Sequence, residues 1–163
     1  MRRIKVVSES TDLVPILRAF DSDVKRDVFQ RLIDGWLTAA AIEKEFGKPG
    51  LEALALFEKT KLVETRWEAV DGKTEKAYHS YYTAFHINTS ASVQEIAEIL
   101  SVAAMAEEKF DGIDGELANM VPPEGFSARA IAEKFNMPLI RLKSLLKRSS
   151  RLEFKGHLVK KLE

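Results

Sequence analysis

The side chains best placed to do chemistry in this chain are cations set among leucines near its C-terminal end. From Phe126 to Lys161 the sequence reads FSARAIAEKFNMPLIRLKSLLKRSSRLEFKGHLVKK. With Leu139, Leu142, Leu145 and Leu146 on the buried side of a helix, the period of 3.6 puts Arg141, Ser144, Lys147 and Arg148 toward solvent. An arginine in the first turn of such a helix can make bidentate bonds to guanine O6 and N7 in a major groove. Lys147, Arg148, Arg151, Lys155, Lys160 and Lys161 would neutralise phosphates, with the salt dependence that counterion release brings. The chain as a whole is neutral, with 25 Lys/Arg against 25 Asp/Glu. From Pro123 onward it holds 10 basic and 4 acidic residues, a net of +6, so the preceding residues sum to −6. A neutral total therefore conceals a dipolar molecule whose basic end has the electrostatic character of a nucleic-acid binder.

Other chemistries find no such support. The chain has no cysteine, no phosphate-binding glycine loop, no His-Glu-x-x-His and no Gly-x-Ser-x-Gly. Neither a catalytic residue nor a cofactor is expected. Glu107 and Glu108 are adjacent, so on a helix they diverge. The three histidines are His79, His86 and His157. His79 and His86 lie seven apart in an extended segment and fall on opposite faces, so no metal site is expected. Tyr78, Tyr81, Tyr82 and Phe85 read either as a stacking platform for single-stranded nucleic acid or as a strand packing on helices. Trp36 and Trp67 are expected in a core or an interface.

Stepping along the chain, charge divides it into three pieces: 1–88, 89–122 and 123–163. The middle piece carries only Lys109 against seven carboxylates. In the first piece, Asp21 or Ser22 opens a helix with Val24, Val28, Leu32 and Ile33 on one side, and Gly35 ends it. Thr38 caps AAAIEKEF, Gly47 supplies a turn with positive φ, and a third helix turns Leu51, Leu54 and Phe57 inward. Val70-Asp71-Gly72-Lys73 is a hairpin signal. In the middle piece, Thr89-Ser90 caps a helix running to about Phe110, read as the longest in the chain. Its stripe of Val93, Ile96, Leu100, Ala103 and Ala104 is either core or a dimer seam. The last piece repeats the outline of the first. Ser127 caps a short helix, Asn136 takes the left-handed turn, Pro138 starts the next helix, and a turn at Phe154-Lys155-Gly156-His157 joins two extended runs. No segment suits a membrane span or a secretory signal, so the expected location is the cytoplasm.

The segments DVFQRLIDGWLTAAAIEKEFG and LEALALFEKTKLVETRWEAVDGKTEKAYHSYY, within residues 20–88, resemble the ArsR-like winged helix-turn-helix transcriptional regulators of the archaeal type. The resemblance implies a winged helix-turn-helix domain over 1–88; with the repeated outline read at the C-terminal end, the expected fold is mainly α with small β-hairpin wings and a second helix-turn-helix-like unit over 123–163. Residues 89–122 would be an acidic connector or dimerisation helix. The resemblance also implies double-stranded DNA as partner and a homodimer, while contact with transcription machinery belongs to the alternative of a protein-interaction adaptor. Arg66, Lys73, Lys76 and His79 on the wing could reach phosphates. The third helix departs from the family pattern, since it begins KPGLEALALFEKTK and turns Glu52, Ala55, Glu58 and Lys59 outward. Two carboxylates facing a phosphate backbone are unfavourable. Base reading is therefore expected from the C-terminal helix. A protein-interaction adaptor in a transcription assembly and an RNA-binding protein are the alternatives.

Overall fold

A computed structural model describes residues 2–163. In chain order the elements are β1 (Ile4–Val7), α1 (Leu13–Ala19), α2 (Asp23–Asp34), β2 (Leu37–Thr38), α3 (Ala39–Lys59), β3 (Val63–Val70), β4 (Lys73–Ser80) and β5 (Ala84–Ile87). There follow α4 (Val93–Ala104), α5 (Glu107–Met120), β6 (Phe126–Ser127), α6 (Ala128–Lys134), α7 (Leu139–Arg148), β7 (Leu152–Lys155) and β8 (Leu158–Lys161). A short 3-10 turn, Ser10–Asp12, precedes α1. The protein is thus mostly helical with small sheets. It folds as two compact units, Met1–Val7 with Ala19–Ile87, and Ser8–Arg18 with Asn88–Glu163.

In the first unit, local signals set the helices. The Ser22 side chain accepts from the Lys25 amide and Thr38 from the Ala41 amide, each satisfying a donor that the first turn leaves open. Gly47 sits at φ 70 and ψ −157 and breaks α3 into two helices. The second half packs tightly on the first at Gly50, where a Cβ would lie 2.7 Å from Phe46 Cβ and 3.0 Å from Ile42 Cγ2. Val28, Leu32, Ile42, Leu54 and Phe57 form the core with Tyr78. Ile33, at the edge of the same helical stripe, stays 42 % exposed. Asp71 and Gly72, both at positive φ, make the two-residue turn between β3 and β4. The small sheet has the order β2-β4-β3, and β1 pairs in parallel with β5.

Of the two places expected for Trp67, a core or an interface, the core is excluded. It is 69 % exposed, because the side of β3 that carries it extends beyond the helices the sheet packs on. Trp36 is half-buried, with the Arg66 guanidinium 4.0 Å from its ring centroid and the His79 ring stacked at 5.1 Å. Beside this stack, Glu64 accepts from Arg3 at 2.8 Å and lies 3.0 Å from His79 Nδ1. Partial burial works to raise the Glu64 pKa, but these two partners outweigh it and hold the carboxyl below its usual range.

The second unit is built to the same plan. Ser127 caps α6 through the Ala130 amide, Asn136 takes φ 50, and α7 runs into the β7–β8 hairpin, whose loop contains Gly156 at φ 66. Its sheet order, β6-β8-β7, places first, third and second strands as the first unit does. Leu142, Leu145 and Leu146 join Ile131, Phe110, Leu117 and Leu152 in one core. Leu139, expected inward, is 37 % exposed, since Pro138 occupies the cap and Leu139 begins the helix at its outer edge.

The acidic middle segment differs from the expected single helix. The cap is Ser92, which forms a reciprocal capping box with Glu95, rather than Thr89-Ser90. The helix stops at Ala104, Met105 and Ala106 are extended, and α5 then begins. The longest helical stretch is α3, at 21 residues across its kink. Val102 from α4 and Phe110 and Leu117 from α5 belong to the same core as α7.

The crowding at Gly50 gives a direct test. Gly50→Ala should lower stability by about 1–3 kcal/mol through overpacking against backbone-attached atoms, measured by denaturant unfolding, whereas Gly112→Ala, where a Cβ meets nothing, should not destabilise.

Candidate nucleic-acid interface

The basic face expected on α7 is largely turned inward. Arg148 is the extreme case. Its side chain is 2 % exposed, and Nη1 donates to the Val102 and Met105 carbonyls at 2.9 and 2.7 Å. Nη2 donates to Glu107 Oε2 at 3.0 Å, and the guanidinium lies 4.4 Å from the Phe110 ring centroid. Glu107 also accepts from Arg18 at 3.2 Å. Arg148 therefore ties the frayed end of α4 and the first turn of α5 to α7. Its position among leucines and its charge-assisted bonds to backbone acceptors show why it is not in solvent.

The other expected contacts follow in part. Ser144 is fully buried and donates to the Ile140 carbonyl at 2.8 Å, so it too is corrected from solvent to interior. Arg141 is half-buried and donates to Glu98 Oε2 at 3.1 Å and to Ser101 Oγ at 3.4 Å. Lys147 keeps some exposure but pairs with Asp12 at 2.7 Å. The acidic α4, the start of α5 and the 3-10 turn thus cover this side of α7. At the helix end, buried Asp114 accepts from Ser149 Oγ at 2.6 Å, and Ser149 Oγ accepts the Arg151 and Leu152 amides at 3.1 Å each. This relay fixes the departure of the hairpin from α7.

Cations remain open on the hairpin of the second unit, on the edge of α7 beside it, and on α6, where Arg129 and Lys134 are exposed. Arg151 is exposed, 3.7 Å from Asp114. The Lys155 side chain is 70 % exposed, with Glu153 at 3.9 Å. Lys161 is exposed, and Lys160 is half-buried. Lys143, which helical counting from Leu139 left out of the solvent face, lies on α7 with its ammonium 5.4 Å from the Phe154 ring centroid. The signal that could have found it was the spacing of Leu139, Lys143 and Lys147, four apart, once Leu139 is placed outside the core. Between α7 and the hairpin runs a groove of about 640 Å³ lined by Lys143, Lys147, Leu146, Leu152 and Phe154.

On the first unit, Lys73 is exposed beside the hairpin turn. Arg66 pairs with Glu68 at 2.6 Å while lying on Trp36. Lys76 pairs with Glu58 of α3, and this partner keeps the ammonium pKa above its usual value. Glu52, Ala55 and Lys59 are exposed as expected. The proposed dimer residues divide: Val93 and Leu100 are 89 % and 50 % exposed, Ala104 is exposed and Ile96 half-buried. Ala103, by contrast, packs into a small cluster with Val14 and Ile99. Among the described residues no group of three or more metal-ligating side chains comes together, and no helix is long and apolar enough to cross a membrane.

Two units of like sheet order, each setting a helix after a tight turn beside a hairpin, match a family model of transcriptional regulators over residues 7–163. The protein belongs to that family, the ArsR transcriptional regulators. The match takes in the C-terminal unit, well beyond residues 20–88 where the sequence resemblance lies. No curated protein matches the chain significantly.

The buried guanidinium and its exposed neighbour should behave differently on truncation. Arg148→Ala removes the guanidinium from the Val102 and Met105 carbonyls and from the Phe110 ring, and is expected to cost about 1–3 kcal/mol. Lys147→Ala, a partly solvated pair, should stay within about 1 kcal/mol. Chemical denaturation followed by circular dichroism measures both.

Proposed function

We propose that the protein is a transcription regulator in the cytoplasm that binds double-stranded DNA as a homodimer, each unit being a winged helix. The observation that carries this reading is the open cationic hairpin of the second unit in a member of a transcriptional-regulator family. Arg151, Lys155, Lys160 and Lys161 stand on or beside the hairpin, and Lys143 stands at the adjoining edge of α7. These positions suit a wing and helix edge straddling a phosphate backbone. On the first unit, Lys73 and Arg66 are the cations in reach of phosphate, while Lys76 is engaged by Glu58.

For the dimer, Val93, Ala97, Leu100 and Ala104 lie on one exposed line of α4 at the spacing of a coiled-coil seam. Ala103 is excluded from that seam by its packing on Val14. A second role is favoured by a separate observation: the first unit's outward α3 carries as many carboxylates as cations among Glu52, Glu58, Lys48 and Lys59, and the exposed Trp67 stands on its hairpin. Mixed charge around a solvated indole suits a protein partner. We therefore assign the first unit to assembly with transcription machinery and the second to DNA.

Electrophoretic mobility shifts on promoter fragments over a salt series test the DNA reading. Affinity should fall steeply with salt, and Lys155→Ala with Lys160→Ala should weaken binding on all sequences alike and shallow the salt slope by roughly one per lost contact. A salt-insensitive or absent shift would favour the adaptor reading. Sedimentation should show a dimer that Leu100→Arg converts to a monomer; a monomeric wild type at micromolar concentration rules the seam out.

A further inference from the structure

The two units can be laid against each other from the positive-φ residue that opens the last helix of each, Gly47 and Asn136. Five, eight and twelve residues on stand Glu52, Ala55 and Lys59 in the first unit, and Arg141, Ser144 and Arg148 in the second. The first set is exposed. The second set is half-buried, fully buried and buried. The helix is the same and so is the side of it; only the cover differs. In the second unit this side meets α4, whose Glu98 and Ser101 take Arg141 and whose terminal carbonyls take Arg148. Glu107 completes the Arg148 bonds, and Asp12 of the 3-10 turn holds Lys147.

The geometry points to an autoinhibitory lid: the 3-10 turn and α4 occupy the side of α7 that would otherwise enter a DNA groove. This rests on the DNA reading above and adds its regulation. The groups that meet the α7 cations are those that DNA itself would offer. Carboxylates stand where phosphates would, and carbonyl and hydroxyl oxygens stand where the acceptors of a base edge would. The lid's apolar holdings are small. Val14, Ile99 and Ala103 form a satellite cluster separate from the main core, to which α4 contributes Val102. Most of what holds the lid to the exposed rim of α7 is therefore charge, which a polyanion can compete away. The chain crosses between the two units after Val7, Arg18 and Ile87, so the 3-10 turn and α4 each begin within a few residues of a crossing. With the lid closed, the hairpin alone engages the backbone. With it open, Arg141, released from Glu98 and Ser101, would reach base edges.

The test is the triple substitution Asp12→Asn, Glu98→Gln, Glu107→Gln, with Glu108→Gln, Asp111→Asn, Glu116→Gln as a control. The control residues are exposed and form no ion pair with α7, so the two variants change charge equally and only the first loosens the lid. Binding to sheared genomic duplex DNA is measured by fluorescence anisotropy at fixed salt. The lid variant should bind at least tenfold more tightly than the control. Equal affinity of the two folded variants overturns the lid. Where the lid variant does not fold, hydrogen exchange on the wild type decides. Amides of α4 should lose protection when DNA is added, and unchanged or increased protection overturns the proposal. A wild type that binds no duplex DNA at any salt ends the functional reading itself, whereas one that binds without either lid response ends this inference alone.

Discussion

The second unit depends on one buried charge. A guanidinium that leaves water must replace its hydration with fixed acceptors, and Arg148 does so with two carbonyls and one carboxylate, leaving only Nε without a protein partner. The carbonyls lie at and just past the end of α4, where Val102 otherwise has only the Met105 amide at 3.3 Å. Nothing in the residues Met105-Ala106 forces a helix to stop, since neither is glycine or proline. The stop is stabilised because Arg148 takes the freed carbonyls while Glu107, one residue further on, supplies the counter-charge at the positive end of α5. Phe110, in the first turn of α5, packs under the same guanidinium. One side chain on α7 thus sets where α4 ends, where α5 begins, and how both meet the helix that follows them by some thirty residues.

Charge then acquires a different meaning from the one its distribution along the chain suggests. The acidic block of residues 89–122 and the basic block after it read as separate pieces, with repulsion inside each and a dipole overall. In the fold they neutralise one another within a single unit: Glu98 with Arg141, Glu107 with Arg148, Asp114 with Arg151. The surplus positive charge is not lost but moved. It stands on the hairpin, on the edge of α7 and, through Arg129 and Lys134, on α6. The exposed cations of the hairpin thus stand apart from the flank of α7 that α4 covers.

The parts of the fold legible in the chain are those governed by neighbours in sequence. Ser22, Thr38 and Ser127 cap because a hydroxyl three residues before a free amide can reach it. Gly47 and Asn136 turn because few other residues accept positive φ, and Asp71-Gly72 closes a hairpin for the same reason. The core leucines of α7 were legible from their spacing, with Leu139 the exception because a helix's first residue has no turn before it to set its side. The cap of α4 was misplaced by two or three residues, as Thr89, Ser90 and Ser92 are alike as caps and only Ser92 has Glu95 at the reciprocal position. Hydrophobicity alone cannot assign Trp67 to a core or to an interface, and its exposure depends on how far the helices reach along β3.

The sequence by itself determined the capped helices, the tight turns, the repeated plan of the two halves and the family, because caps, turns and periodicity are short-range and each residue type carries its own conformational restriction. Tertiary structure alone decided which cations are free. A helix has two polar flanks beside its apolar stripe, and periodicity cannot tell which of them a distant segment will cover. On α7 the flank of Arg141, Ser144 and Arg148 went to α4, and Lys143 kept the open edge beside the hairpin. That choice rests on pairings some forty residues apart in sequence, between groups whose attraction depends on the low-dielectric setting that only the assembled core provides.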